Sequence, residues 1–151
     1  MTDNKYFKII LSLILVLFLV FGLVIYRLNS QKSASKLFLQ GMKLYGEEKY
    51  QDAYYNFSQI KKISSYYNLS LLKQFQCADK LKDEKTALLK LDSLSKTTKD
   101  DLIRPYVLYS ELVYNFNSGK YSKNKHISKF PYIQKEYPDC DFAKASSYYI
   151  A

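Results

Sequence analysis

The first part of the chain is almost uniformly apolar. Residues 9–25 read IILSLILVLFLVFGLVI and contain one polar residue, Ser12, while Tyr6 and Tyr26 lie at the two edges. A helix needs about 17 to 25 apolar residues to cross a bilayer, and tyrosines are frequent at membrane interfaces. The pattern therefore predicts a polar tail at residues 1–8 and a transmembrane anchor at residues 9–26.

Two other interpretations of this segment are less favoured. A cleaved secretory signal has an apolar core of about 7 to 15 residues, which is shorter than this run. The nearest small residues, Ser33 and Ser35, also lie beyond Arg27 and Lys32. A buried helix of a soluble protein would need apolar surroundings that the rest of the chain does not supply.

The flanking charges do not decide the orientation of the anchor, because Lys5 and Lys8 precede it and Arg27 and Lys32 follow it. A short tail is easily retained while a long C-terminal part is translocated. We therefore predict a single-pass protein of the cytoplasmic membrane, with a cytoplasmic N-terminus and an extracytoplasmic C-terminal domain. Residues 27–35 form a linker without glycine or proline, through which the membrane helix can continue.

From residue 36 onward, apolar and small residues recur at helical spacing. Leu37 and Gly41 share one helix face, a turn is expected at residues 46–49, and Tyr50, Ala53 and Phe57 share the face of a second helix. A helix pair of this kind cannot bury its apolar face alone and must stack on similar pairs. The pattern predicts a helical repeat domain over residues 36–151.

These residues resemble the signature of the tetratricopeptide repeat, whose unit has about 34 residues. Adding 34 to Ala53 and Phe57 gives Ala87 and Leu91, which fit the same pattern. The sequence Tyr137-Pro138-Asp139 resembles the junctions between repeats in bacterial envelope proteins of this superfamily. The resemblance implies an all-α fold, with the anchor followed by a solenoid of about three helical hairpins and a final helix.

The later units depart from the pattern. The second is expected as helices over residues 69–80 and 85–95, with Phe75 in place of the small residue, which predicts a splayed pair. The third is expected as a helix that ends near Asn117, a turn at 118–121, and a helix over 126–136 that Pro131 should kink or restart. A final helix begins at Asp141, either as a cap or as the start of a further unit.

The formal net charge of +9 comes from 23 Lys and Arg against 14 Asp and Glu. A basic balance can indicate a nucleic acid or another anionic polymer as partner. The lysines are scattered along every predicted helix, however, and only Arg27 and Arg104 could offer the bidentate contacts typical of base and phosphate recognition. We therefore do not expect a nucleic acid partner.

Little in the sequence indicates chemistry. The single histidine, His126, lies among lysines, and with Cys77 and Cys140 it forms no metal-ligand spacing. The two thiols are expected to be buried or idle, with a disulfide as the alternative in an oxidising compartment. Paired acids fall at turns or helix starts, where the helix dipole favours them. We expect no catalytic residue, no metal and no cofactor, and hence no enzymatic activity of this chain.

The leading functional hypothesis is a membrane-anchored scaffold that binds other envelope proteins, contacts the bilayer through residues 9–26, and has peptidoglycan as a further candidate partner. Tyrosines and asparagines suit a groove that binds a peptide or a glycan. The candidate groove residues are Tyr45, Asn56, Tyr109 and Asn115. The alternative is that the chain is the N-terminal superhelical region of an enzyme similar to the soluble lytic transglycosylases, which act on peptidoglycan. The catalytic domain of such an enzyme is absent from these residues.

Overall fold

The computed structural model describes residues 3–99, 101, 103–117 and 130–150. In this part of the chain the secondary structure consists of seven α-helices and includes no strand, which confirms the prediction of an all-α protein. The helices are α1 (Asp3–Gly46), α2 (Tyr50–Ser58), α3 (Tyr67–Lys80), α4 (Glu84–Thr97), α5 (Arg104–Asn117), α6 (Phe130–Glu136) and α7 (Asp141–Ile150).

The N-terminal part of α1 is long and apolar enough to cross a membrane. Its most apolar window has a mean hydropathy of 3.1, and none of that window is buried against the rest of the protein. The one polar side chain in the run, Ser12, donates a hydrogen bond from its hydroxyl to the carbonyl oxygen of Ile9 at 2.8 Å. The polar group is therefore satisfied within the helix, as an apolar environment requires.

The same helix continues without a break through residues 27–35, the predicted linker. Residues 29–35 contain neither glycine nor proline, so nothing in their backbone ends the helix. The side chain of Gln31 forms hydrogen bonds with the segment after α2, and Ala34 is buried in the first core cluster. The buried members of this cluster are Ala34, Ala53, Phe57, Ile60 and Cys77. Residues 31 and 34 thus belong both to α1 and to the packed helical part.

The first helix pair is formed by the C-terminal half of α1 and by α2, which a turn over residues 47–49 connects. Glu48 has a φ of 59°, and the amide of Lys49 donates to the carbonyl oxygen of Leu44 at 2.9 Å. The ring of Phe57 lies directly on Gly41: a Cβ atom added there would be 2.6 Å from the ring carbon Cε1. Glycine at this position is what allows α2 to approach α1 so closely.

The second pair, α3 and α4, repeats the turn of the first. Lys82 has a φ of 60°, and the amide of Asp83 donates to the carbonyl oxygen of Ala78 at 2.9 Å, each 34 residues after its counterpart. Phe75 takes the position of Gly41, and Leu91 takes that of Phe57. Both side chains are buried in the second core cluster, whose other buried members are Leu71, Ala78, Ala87, Leu94 and Val107. The phenylalanine of this contact is therefore on the second helix in the first pair and on the first helix in the second pair.

Successive helices pack on one another, and α5 contacts α4, α6 and α7. A third core cluster joins the last three helices. Its buried members are Leu112, Phe130, Ile133 and Ala143. Helix α6 starts one residue before Pro131, so the proline lies in the first turn, where its missing amide hydrogen costs little. The predicted turn at 118–121 and His126 lie outside the described residues.

The two cysteines are free thiols that lie in different clusters. Cys77 belongs to the first cluster and Cys140 packs against the third. Burial raises the pKa of the Cys77 thiol to about 11, so it is protonated and weakly nucleophilic at neutral pH. This agrees with the expectation of idle thiols rather than with a disulfide.

The close contact of Phe57 with Gly41 makes a mutational prediction. Gly41→Ala should lower the free energy of unfolding by about 1 to 2 kcal/mol, because the overpacking penalty exceeds the gain in helix propensity. The measurement is urea denaturation of the full chain in detergent micelles, followed by helical circular dichroism. Gly46→Ala is the control, since a Cβ atom there meets nothing within 4 Å; equal stability of the two variants would contradict the packing.

Candidate partner-binding surface

Helices α1, α3 and α5 bring a row of aromatic and charged side chains together. The Lys73 ammonium lies 5.0 Å from the centroid of the Tyr45 ring, and the ring of Phe75 lies 6.5 Å from that of Tyr106 and 5.7 Å from that of Tyr114. The hydroxyl of Tyr114 donates a hydrogen bond to Asp79. We call the residues Tyr45, Lys73, Asp79, Tyr106 and Tyr114 the tyrosine row.

The link between Asp79 and Tyr114 ties α3 to α5. Burial raises the pKa of Tyr114, and the hydrogen bond to the Asp79 carboxylate raises it further. The phenol is therefore held in its neutral form, in which it donates to the carboxylate. Asp79 remains partly exposed at the end of α3, so its carboxylate is still accessible from solvent.

A cleft of about 260 Å³ opens beside this link. It is lined by Asp79, Lys82, Glu84, Val113, Tyr114 and Asn117. The volume is below the ~300 Å³ at which small-molecule sites usually begin. The lining offers carboxylates, an amide and one ammonium group, so the cleft suits a polar side chain or backbone group of a peptide better than it suits a whole cofactor.

Tyr45, the first of the predicted groove residues, lies at the α1 end of the row. Burial raises its pKa, and the nearby Cys77, Tyr50 and Asp79 act in the same direction. Its ring is also 5.3 Å from that of Tyr50, in an edge-on arrangement. Tyr45 is therefore half-buried, with one side packed against α2 and the other under the Lys73 ammonium.

The other predicted groove residues are not brought together with Tyr45. Asn56 is on α2 and donates to the carbonyl oxygen of Asp52 at 3.3 Å. Tyr109 packs in the third cluster, where its ring contacts aromatic residues of α6 and α7. Asn115 donates to the carbonyl oxygen of Glu111 at 2.8 Å. Each of these contacts lies within the residue's own helix or cluster.

The repeat-signature residues all lie in the packed interior. Leu37 and Tyr50 pack against the first cluster and are partly buried, whereas Gly41 underlies the Phe57 ring. The side chains with no exposed surface are Ala53, Phe57, Ala87 and Leu91. These residues therefore contribute to the packing of the helices, whereas the residues of the tyrosine row are partly exposed.

Sequence reasoning missed Lys73 and Asp79 as neighbours of Tyr45. A signal was available, because adding the repeat length to Tyr45 gives Asp79 and then Val113, which both line the cleft. Among the described residues, no group of three or more His, Cys, Asp or Glu side chains could hold a metal ion.

The Asp79–Tyr114 hydrogen bond predicts that Tyr114→Phe destabilises the fold. Loss of a partly buried bond to a charged group should cost about 1 kcal/mol of unfolding free energy, below the ~1.5 to 3 kcal/mol of fully buried examples. Urea denaturation of the full chain measures it. Tyr55→Phe is the control, since the Tyr55 side chain is 64% exposed. Matching midpoints for both variants would show that the bond adds nothing.

No protein-family model matches this chain, and no curated protein matches it in sequence.

Proposed function

We propose that the chain is a membrane-anchored adaptor with a tetratricopeptide-like α-solenoid. The observation that carries this proposal is the recurrence of one turn: Glu48 and Lys82 have positive φ values 34 residues apart, with matching backbone hydrogen bonds on both sides. The period equals that of the tetratricopeptide repeat. Ala53 and Ala87, at matching positions, are both fully buried.

The packing of the later helices supports the same architecture. Tyr109 follows Phe75 by one repeat length, and its ring contacts α6 and α7 as the Phe75 ring contacts α5. A solenoid of this kind exposes the first helices of its units along one continuous surface. The tyrosine row lies on helices α1, α3 and α5, which are the first helices of the three proposed units.

The apolar part of α1 supports the anchor. In the proposed arrangement residues 9–26 cross the cytoplasmic membrane, the N-terminus is cytoplasmic, and the helical units are outside. The partners would then be other envelope proteins, with peptidoglycan as a further candidate. A peptide segment suits the tyrosine row, because rigid aromatic rings offer contact area at low entropic cost, and Lys73 and Asp79 can pair with charges of either sign.

Site-specific photocrosslinking in living cells tests the adaptor role. A photoreactive residue at Gln76, which lies between Lys73 and Asp79 on α3, should give a discrete adduct with a partner protein. The same residue at Leu89 is the control, since this position is 57% exposed and lies on α4, which carries no residue of the tyrosine row.

An adduct from position 76 that weakens with Tyr106→Ala, while position 89 stays unreactive, is the expected result. Equal adducts from both positions, or none from position 76, would contradict the proposed binding surface.

Protease treatment of spheroplasts should remove the helical units; their protection would contradict the extracytoplasmic placement.

A further inference from the structure

The membrane-proximal end of the helical part contains a second cleft, of about 230 Å³, beside the end of the apolar segment. Its polar lining comes from α1 and from the segment after α2. The residues that supply it are Tyr26, Asn29, Ser30, Ser33, Gln59 and Lys61. We propose that this juxtamembrane cleft binds the phosphate headgroup of an anionic phospholipid, an inference that rests on the proposed membrane anchor.

The cleft is held next to the membrane border by the fold. Tyr26 ends the apolar segment, and the next three turns of α1 form one wall, within about 16 Å of Tyr26 at the helical rise of ~1.5 Å per residue. The Gln31 side-chain oxygen accepts hydrogen bonds from the hydroxyls of Ser64 at 3.2 Å and Ser65 at 3.0 Å. It also accepts one from the amide of Ser65 at 3.3 Å. These bonds fix the segment that carries Lys61 against α1.

Lys61 is directed toward the membrane end of the cleft. Its ammonium lies 5.8 Å from the centroid of the Tyr26 ring, so the charge is at the level where the apolar segment ends. Tyrosine at an interface marks the depth of the headgroups. A lysine ammonium beside it is therefore placed where a lipid phosphate would be.

The two stretches of sequence that line the cleft contain no acidic residue. Neither residues 9–46 nor residues 53–78 include an Asp or Glu, so no acid in these segments offsets the cations there. The cations of these two stretches that lie close in sequence to the lining residues are Arg27, Lys32, Lys36, Lys61 and Lys62. Basic residues next to a membrane helix attract anionic lipids, and the attraction falls off within a Debye length of the surface. The position of these cations therefore favours a ligand within the membrane surface.

The polar side chains of the lining suit a phosphate headgroup, and Ala34 and Leu37 complete the cleft. Hydroxyls and amides of Ser30, Ser33, Asn29 and Gln59 can donate to phosphate oxygens, which Lys61 neutralises. Below the cleft, the exposed apolar side chains of α1 continue toward the bilayer centre and offer a surface for the acyl chains. A free phosphate ion would use only the upper part of this arrangement.

Native mass spectrometry of the full chain in detergent micelles tests the proposal, with dioleoyl phosphatidylglycerol and dioleoyl phosphatidylcholine as probes. The wild-type chain should bind phosphatidylglycerol more tightly. Lys61→Gln should weaken that binding about fivefold, as expected for one lysine charge at a membrane surface, and leave phosphatidylcholine binding unchanged. Lys135→Gln is the charge-matched control on α6 and should behave as the wild type does.

Three outcomes would overturn the proposal, and they separate its parts. Unchanged phosphatidylglycerol binding by Lys61→Gln refutes the headgroup site. Displacement of the lipid by an equal concentration of inorganic phosphate indicates a site for soluble anions instead. Alkaline carbonate extraction distinguishes the anchor: release of the wild-type chain from membranes refutes both proposals, whereas retention with an unaffected Lys61→Gln variant refutes the headgroup site alone.

Discussion

The continuity of α1 is the constraint on which the rest of the structure depends. One helix contains the apolar segment, forms hydrogen bonds with Ser64 and Ser65 through Gln31, and packs against α2 at Gly41. The helix runs through without glycine or proline between residues 29 and 35, so no flexible joint separates these functions. The packed helices are therefore attached directly to the segment that is long and apolar enough to cross a membrane.

The two helix pairs show how a turn can be kept while the core that it joins is rebuilt. Glu48 and Lys82 adopt the same left-handed backbone, yet the first pair packs an aromatic ring on glycine and the second packs Phe75 with Leu91. The exchange keeps both interiors filled, because the bulk removed from one helix is added to the other. It also places the Phe75 ring in contact with Tyr106 and Tyr114 of α5.

The sequence was sufficient to predict the all-α class and the helices near Gly41, Ala53 and Ala87, because helical spacing and turn residues are local signals. The sequence does not indicate the partial burial of Tyr109 among aromatic rings, because this burial depends on contacts with α6 and α7 that no local pattern encodes. The Tyr114–Asp79 bond likewise joins residues 35 positions apart. Only a repeat length applied to every position, Tyr45 included, would have indicated that neighbourhood.

A distance measurement between two spin labels by double electron–electron resonance tests the continuity of α1 most directly. Labels at Lys8→Cys and Lys36→Cys, in a chain with Cys77→Ala and Cys140→Ser reconstituted in bilayers, would lie on either side of the apolar segment; both positions are exposed. An unbroken helix predicts a narrow distribution centred near about 42 Å, from the ~1.5 Å rise per residue. A broad distribution, or one centred well below that distance, would mean that residues 27–35 form a flexible joint, and would contradict the account.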